Sequence, residues 1–531
     1  MEKYIVQNIK LSIDASKDEV FAQAKKRLAK FFSKKSIGKL EIYKTSVDAR
    51  KKDHICFVYS VIAEISERAN AKALALDGIV AMTDDKISIK YGNESLSDRP
   101  VIVGFGPCGM FCALLLAEHG YRPIVIERGS SVEKRTQDVE RFTKLGILNT
   151  ESNIQFGAGG AGTFSDGKLV TRINDPKCGY VLEEMHRLGA PDEIMHKAKP
   201  HIGTDYLKIV VANMEEKIKN LGGEVFYDTR LEDIIVKNGR VTQIKTGRGE
   251  MPCGALVLAL GHSARDTFSM LRTHGITMIP KPFSVGVRIE HLQSDIDYAL
   301  YGSSAGHPKL PQGEYNLSCH HGERGVYTFC MCPGGQVVGA ASENGGVVTN
   351  GMSNFSRDGK NANSAVAVSV NPADYGDTVE NAISFQRSLE MNAYIAGGKN
   401  YNAPCQTVGD FLGITTSSEP DRILPTYRDG NVTMASLDSV LPKFVSESLR
   451  FGLMNFDKKI KGFACDDAVL TGVETRTSSP IRIPRNDAFL ALGFDNLYPC
   501  GEGAGYAGGI TSAAVDGIKC AIALMEKYRQ F

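Results

Sequence analysis

A glycine-rich turn in the first third of the sequence has the residue types and spacing of a phosphate-binding site. Gly104-Phe105-Gly106-Pro107-Cys108-Gly109 follows the apolar run Val101–Val103 and precedes an apolar segment of helical length. Gly104 permits a tight turn, Gly106 lets the backbone approach a pyrophosphate, and Gly109 lets the helix pack on the strand. A second apolar run ends at Glu127, whose carboxylate can accept hydrogen bonds from a ribose. The spacing predicts a dinucleotide site at a helix N-terminus.

The same G-x-G-x-x-G spacing recurs at 157–162 and 503–508, but neither copy lies between a strand and a helix that lead to a closing acid. Residues 162–168 nearly form a P-loop, although Leu169 stands where Ser or Thr would hold magnesium. The glycines of 157–168 favour close approach to a flat ligand, with a flexible surface loop as the alternative.

The sequence Cys330-Met331-Cys332 carries the most reactive side chains of the second half of the chain. On a regular strand both thiols would lie on one face. Three interpretations stay open: packing, thiol redox chemistry through a strained disulfide, and a metal site shared with Cys319, His320 and His321.

A polar segment, 357–364, follows a glycine-rich turn and contains Arg357 and Lys360. Its charges could hold an anionic substrate, and an ordinary loop is the alternative. Cys330, Cys332 and Arg357 are therefore the candidate catalytic residues. No G-x-S-x-G or H-E-x-x-H motif is present, which leaves hydrolase chemistry without support.

The elements that must position these residues fall into three predicted domains. Residues 1–97 predict a small α+β domain, with a capping box at Ser16 and a short strand at 87–91. Residues 98–280 and 480–531 predict a Rossmann-type α/β domain that is split in the sequence, with a hairpin turn at Asn238-Gly239. Residues 281–479, rich in glycine and short strands, predict an inserted α+β domain over the substrate.

Charge and composition describe an ordinary globular protein with one unusual end. Apolar residues make up 42%, charged residues 23%, and the net charge is +1. Residues 1–52, however, contain 14 Lys and Arg against 6 Asp and Glu. The basic turn 48–53 reads as a solvated hairpin, with a docking surface for RNA or an acidic partner as the alternative. The twelve scattered cysteines, with no signal peptide or membrane span evident, predict a cytoplasmic protein with reduced thiols.

With these motifs in view, the sequence resembles the glutathione-reductase-type FAD flavoproteins, and more closely the bacterial NAD- or FAD-utilising dehydrogenases of unestablished substrate. The resemblance covers nearly the whole chain and rests on SVDARKK at 46–52, VIVGFGPCG at 101–109, FGAGGAGTFSDGKL at 156–169, TFCMCPGGQVV at 328–338, TNGMSNFSRDGKNANSA at 349–365 and GEGAGYAGGITSAAVDG at 501–517. It implies that FAD is held by Gly104, Gly106, Pro107, Cys108, Gly109, Glu127, Arg128, Gly159, Gly160, Ala161, Gly162, Thr163, Asp166, Leu231, Gly261, Gly501, Glu502, Gly508, Gly509 and Ile510.

One feature of the disulfide reductases in that group is missing. The sequence has no second βαβ fingerprint for NAD(P)H, so this nucleotide could serve only as a transient electron donor. Cys108 and Cys112 have C-x3-C spacing in the turn and first helical turn, and they are interpreted as packing residues rather than a redox pair.

The sequence therefore predicts an FAD-dependent oxidoreductase that transfers hydride between the flavin and a small-molecule substrate. Two alternatives are kept: a flavin-dependent RNA-modifying protein with the basic N-terminal domain as its handle, and a non-catalytic FAD-binding sensor. The prediction includes no metal and no membrane partner, and the sequence does not indicate an oligomeric state.

Overall fold

The computed structural model describes residues 1–82, 87–416 and 419–530. Alternating apolar residues at the N-terminus form a βαββαβ unit whose elements are β1 (Glu2–Ser12), α1 (Lys17–Leu28), β2 (Ile37–Asp48), β3 (Cys56–Ile65), α2 (Ala71–Leu76) and β4 (Ile79–Ala81). The strands pair antiparallel in the order β2-β3-β1-β4, which is the ferredoxin-like arrangement. The Ser16 capping box starts α1 as predicted.

The prediction of a strand at 87–91 is wrong. Ile79–Ala81 takes the fourth place in the sheet, and no strand forms over 87–91. Ile87, Ile89 and Leu96 instead pack against the core of the next domain. Residues 92–94 pair with the C-terminal end of the chain, where the Gly92 amide donates to the Met525 carbonyl at 2.8 Å.

The next part of the chain alternates buried apolar strands with helices, which predicts a parallel sheet. Its elements are β5 (Pro100–Val103), α3 (Pro107–Glu118), β6 (Ile124–Ile126), α4 (Val132–Leu145), α5 (Lys177–Arg187), α6 (Glu193–His196), α7 (Gly203–Asn220), β7 (Glu224–Phe226), β8 (Leu231–Lys237), β9 (Arg240–Thr246), β10 (Gly249–Pro252), β11 (Ala255–Leu258), α8 (Arg265–Thr273) and β12 (Ile279–Pro280). Strands β8 to β10 form an antiparallel meander. Its first turn has Asn238 and Gly239 at φ of 50° and 73°, the conformation that an Asn-Gly hairpin requires.

The inserted segment is dominated by one sheet of seven strands. Its elements are β13 (Phe283–Leu292), α9 (Gln293–Tyr301), β14 (Ser318–His321), β15 (Arg324–Cys332), β16 (Gln336–Gly339), β17 (Thr349–Met352), β18 (Asn361–Val370), α10 (Pro372–Tyr375), α11 (Val379–Ala396), β19 (Ala403–Thr407), α12 (Val408–Phe411), β20 (Val432–Met434), α13 (Lys443–Lys459) and β21 (Val469–Glu474). The strand order is β14-β15-β18-β13-β21-β19-β20.

The two ends of the inserted segment lie next to each other. Strand β12 pairs antiparallel with β22 (Ile481–Arg482), and the Lys281 amide donates to the Pro480 carbonyl at 2.8 Å. The chain then completes the parallel sheet with β23 (Leu497–Pro499) and ends in α14 (Ile510–Lys527). The parallel sheet has the order β23-β11-β5-β6-β7, so the segment after the insertion returns to the same sheet.

Helices α3 and α14 pack closely at the centre of this domain. A side chain on Gly517 would run into the backbone carbonyl of Cys108, so only glycine permits the approach. Both helices begin at the carboxyl edge of the sheet, where ligands bind in open α/β folds. None of the described helices is long and apolar enough to cross a membrane.

Candidate cofactor and substrate cavity

A cavity of about 1220 Å³ lies between the parallel sheet and the inserted sheet. Its wall includes the turn after β5, the glycine loop, the end of β11 and the start of α14, and on the other side β15. Most residues predicted to bind a cofactor line it, together with two of the candidate catalytic residues: Gly104, Gly106, Pro107, Cys108, Glu127, Arg128, Gly160, Ala161, Gly162, Asp166, Leu231, Gly261, Glu502, Gly508, Gly509, Ile510, Cys330 and Arg357.

The turn at Gly104 has the geometry that its sequence predicts. Gly104 has φ of 104°, and a side chain there would clash with the Ala259 carbonyl. Gly106 is the N-cap of α3 and Pro107 occupies its first turn. A side chain on Gly109 would overlap the Gly104 carbonyl. The unpaired amides at the start of α3 therefore face the cavity with no side chain in front of them.

The Glu127 carboxylate stabilises this turn as well as facing the cavity. Its Oε2 accepts a hydrogen bond from the Phe105 amide at 2.8 Å, and its Oε1 accepts from Gly129 at 3.0 Å and Gly157 at 2.8 Å. A carboxylate has about four acceptor positions. The protein fills three of them, which leaves one for a ribose hydroxyl.

The glycine loop at 157–167 touches the first turn directly. The Gly159 amide donates to the Phe105 carbonyl at 2.8 Å, and a side chain on Gly160 would lie 2.8 Å from the Gly106 Cα. Buried Arg135 holds the approach to the loop by donating to the carbonyls of Asn153, Ile154 and Ala158. The glycines therefore expose their backbone to the cavity, and Arg135 fixes that backbone from the buried side.

At the end of the cavity near β8, Arg128 forms ion pairs with two acidic side chains of the protein. Its guanidinium pairs with Glu151 at 3.0 Å and Asp266 at 2.8 Å, and it lies 4.1 Å from the centre of the Phe156 ring. Arg128 thus offers a flat, fixed surface beside Leu231 rather than a free charge.

Near the start of α14, two titratable side chains face the cavity together. Burial raises the pKa of Glu502 to about 7, although nearby Lys281 opposes the rise. Burial also lowers the pKa of Lys281. The N-terminus of α14, an 18-residue helix, begins beside them at Ile510 and favours negative charge in this part of the cavity.

Arg357 is buried in an ion pair that joins the inserted segment to the glycine loop. Its Nε and Nη2 donate to the Asp166 carboxylate at 2.9 and 2.6 Å. Lys168 lies 2.6 Å from the same carboxylate and 3.5 Å from Glu314, which also pairs with Lys199 at 2.7 Å. The ion pair with Asp166 therefore occupies the Nε and Nη2 donors of Arg357, and Lys168 and Lys199 add two more cations to this group.

Cys330 and Cys332 do not lie on a regular strand as the sequence predicts. The pairing of β15 with β18 shifts register between Phe329 and Cys332, and Cys330 has φ of 45°. The bulge presents Cys330 to the cavity while Cys332 is fully buried behind it. Among the described residues, no group of three or more His, Cys, Asp or Glu is arranged to hold a metal, so Cys319, His320 and His321 do not join them.

Five predicted residues are not among the described residues that line the cavity. Gly159 and Thr163 fix the glycine loop, with the Thr163 hydroxyl donating to the Ala158 carbonyl at 3.1 Å. The Gly501 amide donates to Asp516 at 2.7 Å. Gly109 and Cys332 complete the set, and each supports a neighbour that does face the cavity.

Several charged residues of the cavity were not predicted as site residues, because each is a single charge on a strand or loop. Glu474, at the end of β21, is fully buried; burial raises its pKa to about 7, and Arg288 lies 3.3 Å away. Lys168, Lys281 and Glu314 line the same cavity. Lys168 ends the near-P-loop at 162–168, but the other three are single charges that no motif marks, and single charges usually lie on the surface.

The geometry defines the class of protein: a mixed α/β protein with a cavity between a parallel sheet and an inserted sheet. Residues 282–477 match the family model described as "FAD-dependent protein, C-terminal domain-like", and residues 1–64 match a domain of unknown function. An uncharacterized protein from Clostridium beijerinckii is 49% identical over 533 residues, which is 98% of both chains. The chain belongs to the family of that protein.

Solved structures share a weaker likeness. L-amino acid deaminase from Proteus vulgaris is 10% identical, with 83% of this chain and 93% of that chain covered at a TM-score of 0.34. Glycine oxidase from Bacillus cereus is 11% identical, with 83% and 99% covered at a TM-score of 0.32. Values this low do not bear on the substrate of this chain.

Proposed function

We infer that the protein is an FAD-dependent oxidoreductase whose small-molecule substrate enters the cavity from the side of the inserted sheet. The observation that carries this inference is the single continuous cavity. One wall has the bare glycine backbone and helix N-terminus that a dinucleotide needs, and the opposite wall carries reactive and charged side chains. The match to an FAD-dependent family over 282–477 supports the same function.

The residues present fit FAD. Gly106 and Gly160 form a cradle that a side chain on Gly160 would fill, and the α3 amides above it would donate hydrogen bonds to a pyrophosphate. The free acceptor position of Glu127 would take a ribose hydroxyl, and Arg128 and Leu231 would border the adenine. Glu502 and the N-terminus of α14 would lie toward the isoalloxazine. Bound there, FAD would supply two-electron chemistry by accepting or donating hydride.

The residues of the chain have separate tasks in this proposal. Arg357 is a positioning residue, because its ion pair with Asp166 holds the inserted segment against the cofactor loop. Glu474 and Glu502, with pKa values near neutrality, can hold or release a proton at the cavity wall. Cys330 and Cys332 are the reactive thiols on the substrate side. NAD(P)H would act only as a visiting electron donor.

A first prediction concerns the cofactor. The purified protein will be yellow, and its acid-released cofactor will run on chromatography as FAD rather than FMN. The reason is that Glu127 and the turn at Gly104 serve a second phosphate and an adenosine ribose, both absent from FMN. Recovery of FMN, or a colourless protein that does not take up added FAD, would refute the proposed function.

The alternative RNA-modifying function receives little support from the N-terminal sheet. The aromatic residues of its central strands, Tyr4, Phe57 and Tyr59, are buried beneath the helices. Single-stranded RNA is bound by aromatic side chains on an open sheet face. In the basic turn, Arg50 is already paired with Asp48 at 2.6 Å.

A second prediction concerns the autonomy of the N-terminal domain. A protein that begins at residue 87 will remain folded and bind FAD with unchanged affinity, because no described residue before Val103 lines the cavity. A protein that begins at Asp98 will also bind FAD but will melt several degrees lower. It loses the packing of Ile87, Ile89 and Leu96 and the hydrogen bonds of residues 92–94 to the C-terminal helix.

Thermal melting monitored by flavin fluorescence will separate these truncations. Loss of FAD from the protein that begins at residue 87 would show that the N-terminal domain shapes the cofactor site. Equal melting temperatures for the two truncations would show that residues 87–97 contribute nothing to the core.

A further inference from the structure

The bulge in β15 changes how Cys330 and Cys332 are placed relative to a regular strand. Alternate residues of a strand are about 6.6 Å apart, whereas a disulfide needs Cβ atoms about 4 Å apart. The left-handed conformation of Cys330, at φ of 45°, shortens this separation. As a result the Cys332 thiol donates a hydrogen bond to the Cys330 carbonyl at 3.3 Å.

The two thiols differ in access. Cys330 lines the cavity, and Cys332 is completely buried behind it. An attacking thiol must reach a substrate, while a resolving thiol needs only to reach its partner, so the arrangement suits both tasks.

A buried cation stabilises the thiol pair. Arg288 Nη2 donates to the Cys330 carbonyl at 2.7 Å and lies 3.8 Å from Cys332 Sγ. The same nitrogen is held by Asn363 Oδ1 at 2.8 Å. The neighbouring Cys332 thiol and the positive charges of Arg288 and Lys168 hold the pKa of Cys330 below its usual value despite burial. The pKa of Cys332 is raised.

We propose that Cys330 and Cys332 form a redox-active dithiol that reduces a small disulfide in the cavity. The Cys330 thiolate attacks one substrate sulfur, so that a mixed disulfide forms and one substrate thiolate leaves. That thiolate takes the proton of Cys332. The Cys332 thiolate then attacks the Cys330 sulfur, the Cys330–Cys332 bond forms, and the second substrate thiolate leaves. The substrate gains two electrons, and the dithiol loses them.

Regeneration of the dithiol is the point at which this inference rests on the proposed function. Reduced FAD bound in the same cavity would supply the two electrons and one proton that return the Cys330–Cys332 disulfide to one thiolate and one thiol. The strain expected of a bond between residues two apart favours this return.

The test uses the full-length protein as purified, with bis(2-hydroxyethyl) disulfide as the probe. After exposure to the probe, remaining thiols are alkylated with iodoacetamide and peptides are identified by mass spectrometry. In the wild-type protein we expect an intramolecular Cys330–Cys332 disulfide. In Cys332→Ser we expect a mixed disulfide trapped on Cys330, and in Cys330→Ser neither product.

Two control variants test whether other thiols of the chain react with the probe. Cys319 lines the same cavity, and Cys319→Ser should behave like the wild-type protein. Cys108 and Cys500 are the rival pair, with sulfur atoms 3.1 Å apart, and Cys500→Ser should also leave the Cys330–Cys332 product unchanged. A product found on Cys108 or Cys319 in place of Cys330 would overturn the proposal.

The outcomes separate this inference from the proposed function, because FAD content is measured on the same samples. Bound FAD with no Cys330 adduct in Cys332→Ser would overturn the dithiol and leave the oxidoreductase standing. A Cys330–Cys332 disulfide in a protein that binds no FAD would support the dithiol and overturn the proposed function. A Cys330→Ser variant that retains FAD and wild-type circular dichroism confirms that loss of the product is not a loss of folding.

Discussion

Replacing Gly109 with alanine will weaken FAD binding by about 10- to 100-fold. The added Cβ would overlap the carbonyl of Gly104, which is backbone and cannot move without displacing the dinucleotide turn. Forcing an extra carbon into a packed site costs about 1–3 kcal/mol, and 1.4 kcal/mol is a tenfold change in affinity. The measurement is a titration of deflavinated protein with FAD, followed by quenching of flavin fluorescence.

The matched control is Gly179→Ala. Gly179 lies in helix α5, on the surface, and an added Cβ there would meet no other atom within 4 Å. Alanine is favoured over glycine in helices, so this variant should bind FAD like the wild-type protein and lose no stability. If Gly109→Ala bound FAD equally well, the turn at Gly104 would not be the pyrophosphate site.

Removing the guanidinium of Arg357 will destabilise the folded protein by about 3 kcal/mol. Arg357→Ala leaves Asp166 as a buried charge, since the exposed fractions of the two side chains are only 7% and 1%. Breaking a buried ion pair from one side costs about 3–5 kcal/mol, and Lys168 at 2.6 Å from Asp166 keeps the loss toward the lower limit. Urea unfolding followed by circular dichroism measures the change.

An exposed ion pair provides the comparison. Lys134 pairs with Asp228 at 3.0 Å, with exposed side-chain fractions of 59% and 52%. Exposed pairs contribute about 0–1 kcal/mol, so Lys134→Ala should change stability by less than a third as much. Equal effects of the two substitutions would show that the Arg357–Asp166 ion pair does not hold the inserted segment against the glycine loop.

The effect of Arg357→Ala depends on pH with a definite sign. Burial alone would raise the pKa of Asp166, but Lys168 and Arg357 outweigh it and hold this pKa below its usual value. A carboxyl group with a lowered pKa in the folded state contributes stability above its unfolded pKa of about 3.9 and loses it as the pH falls further. The stability difference between wild type and Arg357→Ala should therefore be complete at neutral pH and shrink below about pH 4.

The sequence by itself determined the features that depend on a few neighbouring residues. The turn at Gly104, the hairpin at Asn238-Gly239 and the capping box at Ser16 all have the predicted geometry, because each is fixed by backbone angles or hydrogen bonds within a few residues. The mixed α/β class followed from the alternation of strands and helices. The sequence could also rank the glycine motifs, since only the copy at Gly104 had its strand, helix and acid in order.

Only the tertiary structure decided what faces the cavity. Arg357 and Asp166 are 191 residues apart in the sequence, and no local pattern indicates that they form one ion pair. Periodicity placed both cysteines on one face, yet the structure has a bulge in the pairing with β18, and Cys330 faces the cavity while Cys332 is buried. Packing of distant segments also brings Glu474 and Lys281 to the cavity. Their burial and charge depend on strands that are distant in the chain, and sequence spacing carries no record of that packing.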